Sequence, residues 1–103
     1  MTELTHYWIK SPRPHAPIGF GVTACSLSEA VGILTVLGYG SHLPDDINQL
    51  EVIAGIEAEK IEDEYVLSHM GPMVVRGIWY PFRTLGVPAW AEGRLAGLTR
   101  HTF

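Results

Sequence analysis

The sequence has little cysteine and little charge, and both shortages narrow what the chain can be. Cys25 is the single cysteine among 103 residues, so no disulfide can form within the chain and the fold does not depend on an oxidising compartment. Charged residues make up 17%, which is low for a globular protein. Because the surface then has few charges, some apolar surface is expected to be covered by a partner or by a second copy of the chain.

Long apolar runs are also missing. The longest one, residues 31–37, is interrupted by a glycine and a threonine and is far too short to span a bilayer. Residues 1–8 include Glu3 and His6 and lack the apolar run of a signal peptide. We therefore expect a cytoplasmic protein with no membrane partner.

Basic residues are scarce, and they are unevenly placed. Lys and Arg together number 7 against 11 Asp and Glu, for a net charge of −4, which argues against nucleic-acid binding. Residues 41–70 hold eight carboxylates opposed by Lys60 alone, a net charge of −7. Residues 71–103 hold four arginines against Glu92, a net charge of +3. The middle of the chain is acidic and its last third is basic.

The local patterns that are present predict one α+β domain over residues 1–90. Residues 5–10, 20–25, 50–54 and 73–80 have strand character, which predicts three or four mainly antiparallel strands. Ser26 and Glu29 have the spacing of a capping box at the start of a helix over residues 27–37. That helix is apolar on most sides, and Gly38 suits its end, so we expect it to be buried.

The remaining elements are predicted around this helix. Residues 57–66 are predicted as a short acidic helix that covers an edge of the sheet, and residues 91–103 as a tail, either helical or loosely ordered. Trp79 and Tyr80 should point to opposite faces of their strand. The predicted core consists of Trp8, Val22, Ala30, Val31, Leu34, Leu37, Val74 and Ile78.

Two residues are assigned structural roles. Arg76 lies inside an apolar strand, where a guanidinium needs a carboxylate, and we expect that partner to come from the acidic middle segment. Trp79 is expected to have a structural role and to take no part in binding or catalysis.

Residues 19–24 match the dinucleotide-binding pattern G-x-G-x-x-G/A. That motif requires a strand before it and a helix that opens within it. Here a proline-rich loop precedes the glycines and the helix begins after them, so the pattern is better explained by a strand that enters from a turn. No cofactor is predicted.

Cys25 precedes a helix start, where a thiol can have a lowered pKa. A small enzyme or ligand-binding domain would use it with His15, His42 or His69 as base and Asp45 or Asp46 to orient that base. A lone cysteine at the end of an apolar strand is more often a small buried hydrophobe. The five histidines lack the close spacing of metal ligands, so no metal site and no catalytic residue are predicted.

The acidic run provides the main functional hypothesis. Its ordinary meaning is a solvated helix face, but a dense patch of one sign can also steer a basic partner. The candidate partner-binding residues are Asp45, Asp46, Glu57, Glu59, Glu62, Asp63 and Glu64.

Three segments resemble small uncharacterised bacterial proteins: residues 21–24 before the capped helix, residues 70–72 and residues 76–81. The resemblance covers residues 6–81, and some small acidic proteins of this kind look like immunity proteins that neutralise a toxin. It implies a non-enzymatic protein-binding domain whose partner is a basic protein such as a toxin. The alternatives are the Cys25-dependent domain and a subunit that pairs with itself as a homodimer.

Overall fold

The structure is a computed structural model that describes residues 4–13, 19–44, 46–57, 61, 63–83 and 85–102. Its regular elements in chain order are β1 (Thr5–Lys10), β2 (Phe20–Ala24), α1 (Leu27–Leu34), β3 (Glu51–Ala54), α2 (Glu64–His69), β4 (Gly77–Tyr80) and α3 (Ala89–Thr102). None of the helices in the described part of the chain is both long and apolar enough to cross a membrane.

The four strands form one antiparallel sheet in the order β3-β1-β2-β4. In the centre, Tyr7 of β1 pairs with Val22 of β2, and β3 lies on the other side of β1 with Ile53 opposite Trp8. The small α+β fold predicted from the sequence is therefore confirmed.

Helix α1 begins as its capping residues predict. The Ser26 hydroxyl accepts a hydrogen bond from the Glu29 N–H at 3.1 Å, and the Glu29 carboxylate accepts one from the Cys25 N–H at 2.9 Å. The regular helix ends at Leu34, earlier than expected, and continues as a wider turn over Thr35–Tyr39. Gly38 has a φ of 102° in this turn, a conformation that glycine adopts without strain.

One face of the sheet packs against α1 and α3. Alternate residues of β1 and β2, among them Ile9 and Val22, are buried there with Ile33 and Leu34 of α1 and with Leu95 of α3, and we call this group the first cluster. Residues 91–103, predicted as a helical or loosely ordered tail, lie largely within α3. Gly32 lets the two helices approach closely, because a Cβ at that position would lie 2.7 Å from Leu95 Cδ1.

The opposite face holds a second cluster made of Trp8, Val66, Met73, Trp79 and Tyr80. Gly21 pairs with Tyr80 and Val22 with Ile78, so Trp79 is an extra residue in a β-bulge. The bulge cancels the alternation of side chains, and both Trp79 and Tyr80 are buried in this cluster. The expectation that they point to opposite faces was wrong for this reason.

Other elements differ from the predictions in their bounds. Strand β4 begins only at Gly77, and the residues before it form turns, which leave Val74 78% exposed and outside the core. Val31 and Leu37 are partly buried against the first cluster, while Trp8, Val22, Ala30, Leu34 and Ile78 are buried as predicted. Helix α2 begins at Glu64, later than residue 57, and it packs Val66 on a face of the sheet rather than covering an edge.

Candidate functional site

The acidic run lies within residues 56–66, which we call the acidic segment. The described part of this segment is fixed to the sheet by its apolar residues. Ile56 and Ile61 pack against the second cluster, and Val66 is 1% exposed within it. The carboxylates of Glu57, Asp63 and Glu64, which alternate with these residues, are exposed. The segment therefore presents negative charge outward while its apolar side chains hold it in place. We call this surface the acidic face.

Asp63 also has a local structural role. Its carboxylate accepts hydrogen bonds from the backbone N–H groups of Tyr65 at 2.9 Å and Val66 at 3.3 Å, and thereby caps the start of α2. The cap lies close to the second cluster, because Val66, which donates to Asp63, belongs to that cluster. Burial, followed by the charges of Tyr65 and Asp63, raises the pKa of the Tyr80 hydroxyl. One oxygen of Asp63 is thus occupied, and the rest of the carboxylate faces solvent.

Asp46 lies elsewhere on the chain. It is exposed and accepts a hydrogen bond from the Asn48 N–H at 3.0 Å, in a loop whose Leu43 and Leu50 pack against the first cluster. The structure therefore attaches Asp46 to the side of the sheet opposite the cluster that anchors the acidic face. Three of the predicted partner-binding residues, Asp45, Glu59 and Glu62, lie outside the described residues.

Strand β3 lies in sequence between Asp46 and the acidic face, and sequence reasoning did not assign it a role in binding. Glu51 and Ile53 are exposed, Ile53 by 53%, and Glu51 is 4.0 Å from Lys10 across the strand pair. The sequence does place the large apolar Ile53 between Glu51 and Glu57, and this pattern is the signal that could have indicated a binding surface at β3.

The two edges of the sheet differ in how their outer backbone groups are covered. At the β4 edge, the Gly71 N–H donates to the Trp79 carbonyl at 2.7 Å, and the backbone of Gly86 lies against Gly77. At the other edge, β3 pairs with β1 on one side, and within the described ranges no backbone hydrogen bond satisfies its outer side. An unpaired edge is a template for another strand.

Arg76 forms an ion-pair network outside the acidic segment. Its guanidinium binds the Glu29 carboxylate through Nε at 3.0 Å and Nη2 at 3.2 Å, and it also contacts Glu92 of α3. The expected partner in the acidic middle segment was therefore wrong. The hydrogen bond with Glu29 raises the pKa of Arg76, so its guanidinium remains charged.

Cys25 lies beside this network. Burial and the neighbouring Glu29 carboxylate raise the pKa of its thiol, which favours the unreactive protonated form. None of the described contacts of Cys25 is to a histidine: His42 packs near Phe20 and Tyr39, and His69 stacks on Tyr65. Among the described residues, the geometry thus gives the Cys25-dependent alternative neither a thiolate nor a base, while His15, the third candidate base, lies outside them.

The two glycines of the G-x-G pattern make room for tryptophans. A Cβ at Gly19 would lie 2.3 Å from a ring carbon of Trp8, and a Cβ at Gly21 would lie 2.4 Å from one of Trp79. The two indoles stack with their centroids 5.8 Å apart. Trp79 is thus a buried residue of the second cluster, and the glycines make room for the two indoles.

Within the described part of the chain, no three His, Cys, Asp or Glu side chains come together as a metal-binding group. Comparison of the chain with protein-family models, with curated proteins and with solved structures found no match. The resemblance to small bacterial proteins and to immunity proteins stays a prediction.

Proposed function

We propose that this protein is a non-enzymatic binding domain that takes up a segment of a basic protein partner along β3. The observation that carries the proposal is the open β3 edge with half-exposed Ile53, followed in the chain by exposed Glu57 and Glu64, which have no ion-pair partner among the described residues. In its narrower form, which the resemblance to immunity proteins suggests, the partner is a basic toxin that the complex neutralises.

Backbone pairing and charge have separate roles in this mode of binding. An extended segment that adds a strand to a sheet gains affinity from main-chain hydrogen bonds, and side-chain contacts give it specificity. Strand β3 has four residues and contains neither proline nor lysine, which often protect natural edges. The acidic face beside it attracts cationic side chains and disfavours acidic competitors.

The charge distribution also favours rapid encounter. Glu57 and Glu64 are exposed, and neither has an ion-pair partner among the described residues. An array of like charges steers an oppositely charged partner and raises its association rate by about 10- to 1,000-fold at low salt. The same charges contribute little to folding, because exposed ion pairs are worth about 0–1 kcal/mol each.

The test compares the parent with a variant in which Glu57, Glu59, Glu62 and Glu64 are all changed to Gln. Partners are captured from the source cell, identified and purified, and their association is measured by stopped flow at two salt concentrations. The variant should associate more slowly with a basic partner. Added salt should slow the parent towards the variant's rate. Asp46 and Asp63 are left unchanged, because both accept backbone hydrogen bonds.

Ile53→Glu provides a matched control for the edge itself. It adds charge of the attracting sign while it removes the apolar side chain from β3. If the partner pairs along β3, this variant should associate at least as fast as the parent but dissociate faster. Capture of no basic partner, or equal association rates for the parent and the fourfold variant at low salt, would contradict the proposal. A complex that contains only a second copy of the chain would support the homodimer instead.

A further inference from the structure

A cleft of about 310 Å³ opens on the side of the first cluster, away from the residues that anchor the acidic face. Leu37, Ile78 and two prolines supply apolar walls, and Trp90 of α3 completes them. This volume is at the small end of the range for small-molecule sites, which is about 300–1,000 Å³. The walls suit one compact apolar or aromatic group.

Two arginines accompany the aromatic walls. The Arg83 guanidinium lies over the Tyr39 ring at 5.6 Å, and that of Arg94 lies over the Trp90 ring at 5.7 Å. Neither arginine has an ion-pair partner among the described residues, in contrast to Arg76, which has two. Each cation is thus held by an aromatic face, and among the described residues no side chain accepts a hydrogen bond from either guanidinium, which leaves donors for an anion.

The start of α3 adds to the positive potential at the cleft. Pro88 and Trp90 line the cleft. The Pro88 carbonyl accepts hydrogen bonds from the N–H groups of Ala91 and Glu92. The preceding N–H groups, of Ala89 and Trp90, are too early in the helix to find an acceptor within it. None of the described residues that line the cleft is acidic, and Glu92 is occupied by Arg76. The site therefore favours a negatively charged ligand.

We propose that this cleft is a binding site for a small aromatic or branched aliphatic carboxylate. The apolar body of the ligand lies between Trp90 and the wall formed by Leu37 and Ile78. Its carboxylate is bound by Arg83, the arginine that lines the cleft. The Tyr39 hydroxyl has no hydrogen-bond partner among the described residues, but it is buried away from solvent. Because a ligand in the cleft does not reach it, Tyr39 contributes its ring to the site rather than a hydrogen bond.

Titration with phenylacetate, indole-3-acetate and 4-methylpentanoate tests the proposal, with phenylacetamide as the uncharged counterpart of the first. Binding is followed by the indole N–H signals in ¹H–¹⁵N NMR spectra. Trp90 is 57% exposed whereas Trp8 and Trp79 are buried, so one of the three indole signals should move. Trp90→Phe assigns that signal. At least one carboxylate should bind, and phenylacetamide should bind about tenfold more weakly than phenylacetate or not at all.

Arg83→Gln and Arg13→Gln form the matched pair of variants. Both replace an exposed arginine, but Arg13 lies outside the cleft. Arg83→Gln should weaken carboxylate binding by about 10- to 100-fold, and Arg13→Gln should leave it unchanged. Unchanged melting temperatures establish that both variants are folded. Failure of all three carboxylates to bind, equal binding of the amide, or equal effects of the two variants would overturn the proposal. Each of these results is independent of whether β3 binds a basic protein.

Discussion

At the scale of single residues, the glycines at the start of β2 and just before it show how a sequence motif can be produced by packing. Gly19 and Gly21 match a nucleotide-binding pattern, yet the space above each is filled by an indole. The context of the motif, a proline-rich loop before it and a helix after it, was enough to reject the nucleotide hypothesis. The reason for the glycines could not be read from the sequence, because Trp79 is 58 positions away from Gly21 and contacts it only through the fold.

Gly21→Ala should therefore destabilise the protein. The added Cβ would lie 2.4 Å from Trp79 Cε3, and the ring is 1% exposed and stacked on Trp8, so it has no free space to enter. We expect a loss of about 1–3 kcal/mol in the free energy of unfolding, measured by urea denaturation. Gly93→Ala is the control. Its Cβ would meet no atom within 4 Å, and it should stabilise α3 by up to about 1 kcal/mol. Equal effects of the two substitutions would refute the packing explanation.

At the scale of elements, the Arg76 network joins three parts of the chain. Glu29 belongs to the first turn of α1, Glu92 to the first turn of α3, and Arg76 directly precedes β4. Burial alone would raise the pKa of Glu29, but the hydrogen bonds from Arg76 and the Cys25 N–H lower it below its ordinary value. Glu29 therefore favours the folded state when it is ionised.

The sign of this shift gives a pH-dependent prediction. A carboxylate whose pKa is lower in the folded protein stabilises it above the ordinary pKa, and this contribution is lost as the pH falls through the folded value. Glu29→Gln should lower the melting temperature near neutral pH, and the difference from the parent should shrink as the pH is reduced from about 7 to about 2. Glu64→Gln, at an exposed position without a described ion pair, is the control. A difference that stays constant with pH would contradict a role for the ionised carboxylate.

The elements were predictable from the sequence where the signals are local. β1, β2 and the Ser26–Glu29 cap were found because alternation and capping depend on neighbours in the chain. Three features were not predicted correctly because they depend on contacts between residues far apart in the chain. These are the end of α1, the start of β4 and the partners of Arg76. The bulge at Trp79 is the clearest case. One extra residue in β4 moves the Tyr80 side chain to the same face of the sheet as Trp79.

The candidate site was predictable to a similar degree. Composition identified the acidic residues, but only the structure shows that Glu57 and Glu64 alternate with anchoring apolar residues while Asp46 belongs to another loop. The open edge of β3 and the cleft beside Trp90 depend on which strand ends up outermost and where α3 packs. Of the cleft, the sequence showed only the excess of arginine in the last third of the chain.

At the scale of the whole molecule, the sheet is shared by two clusters that lie on its opposite faces. Tyr7 and Ile9 of β1 belong to the first cluster, and Trp8 between them belongs to the second. Neither cluster can lose its packing without disturbing a strand that supports the other. Since Leu95 of α3 belongs to the first cluster and Ala91 of the same helix is fully buried, α3 should unfold with the rest.

We therefore expect unfolding in urea to be a single cooperative transition. Trp8 and Trp79 lie in the second cluster, so tryptophan fluorescence reports on that face, with Trp90→Phe used to remove the exposed indole. Far-ultraviolet circular dichroism is dominated by α1 and α3, which lie on the other face. The two probes should give the same midpoint and the same slope, about 1–3 kcal/mol per molar urea for a domain of this size. Leu95→Ala should shift both midpoints together to lower urea, because it opens a cavity between α1 and α3 at a cost of about 2–5 kcal/mol. If the circular dichroism transition of that variant preceded the fluorescence transition, α3 would be a separately unfolding unit and the shared sheet would not couple the two faces.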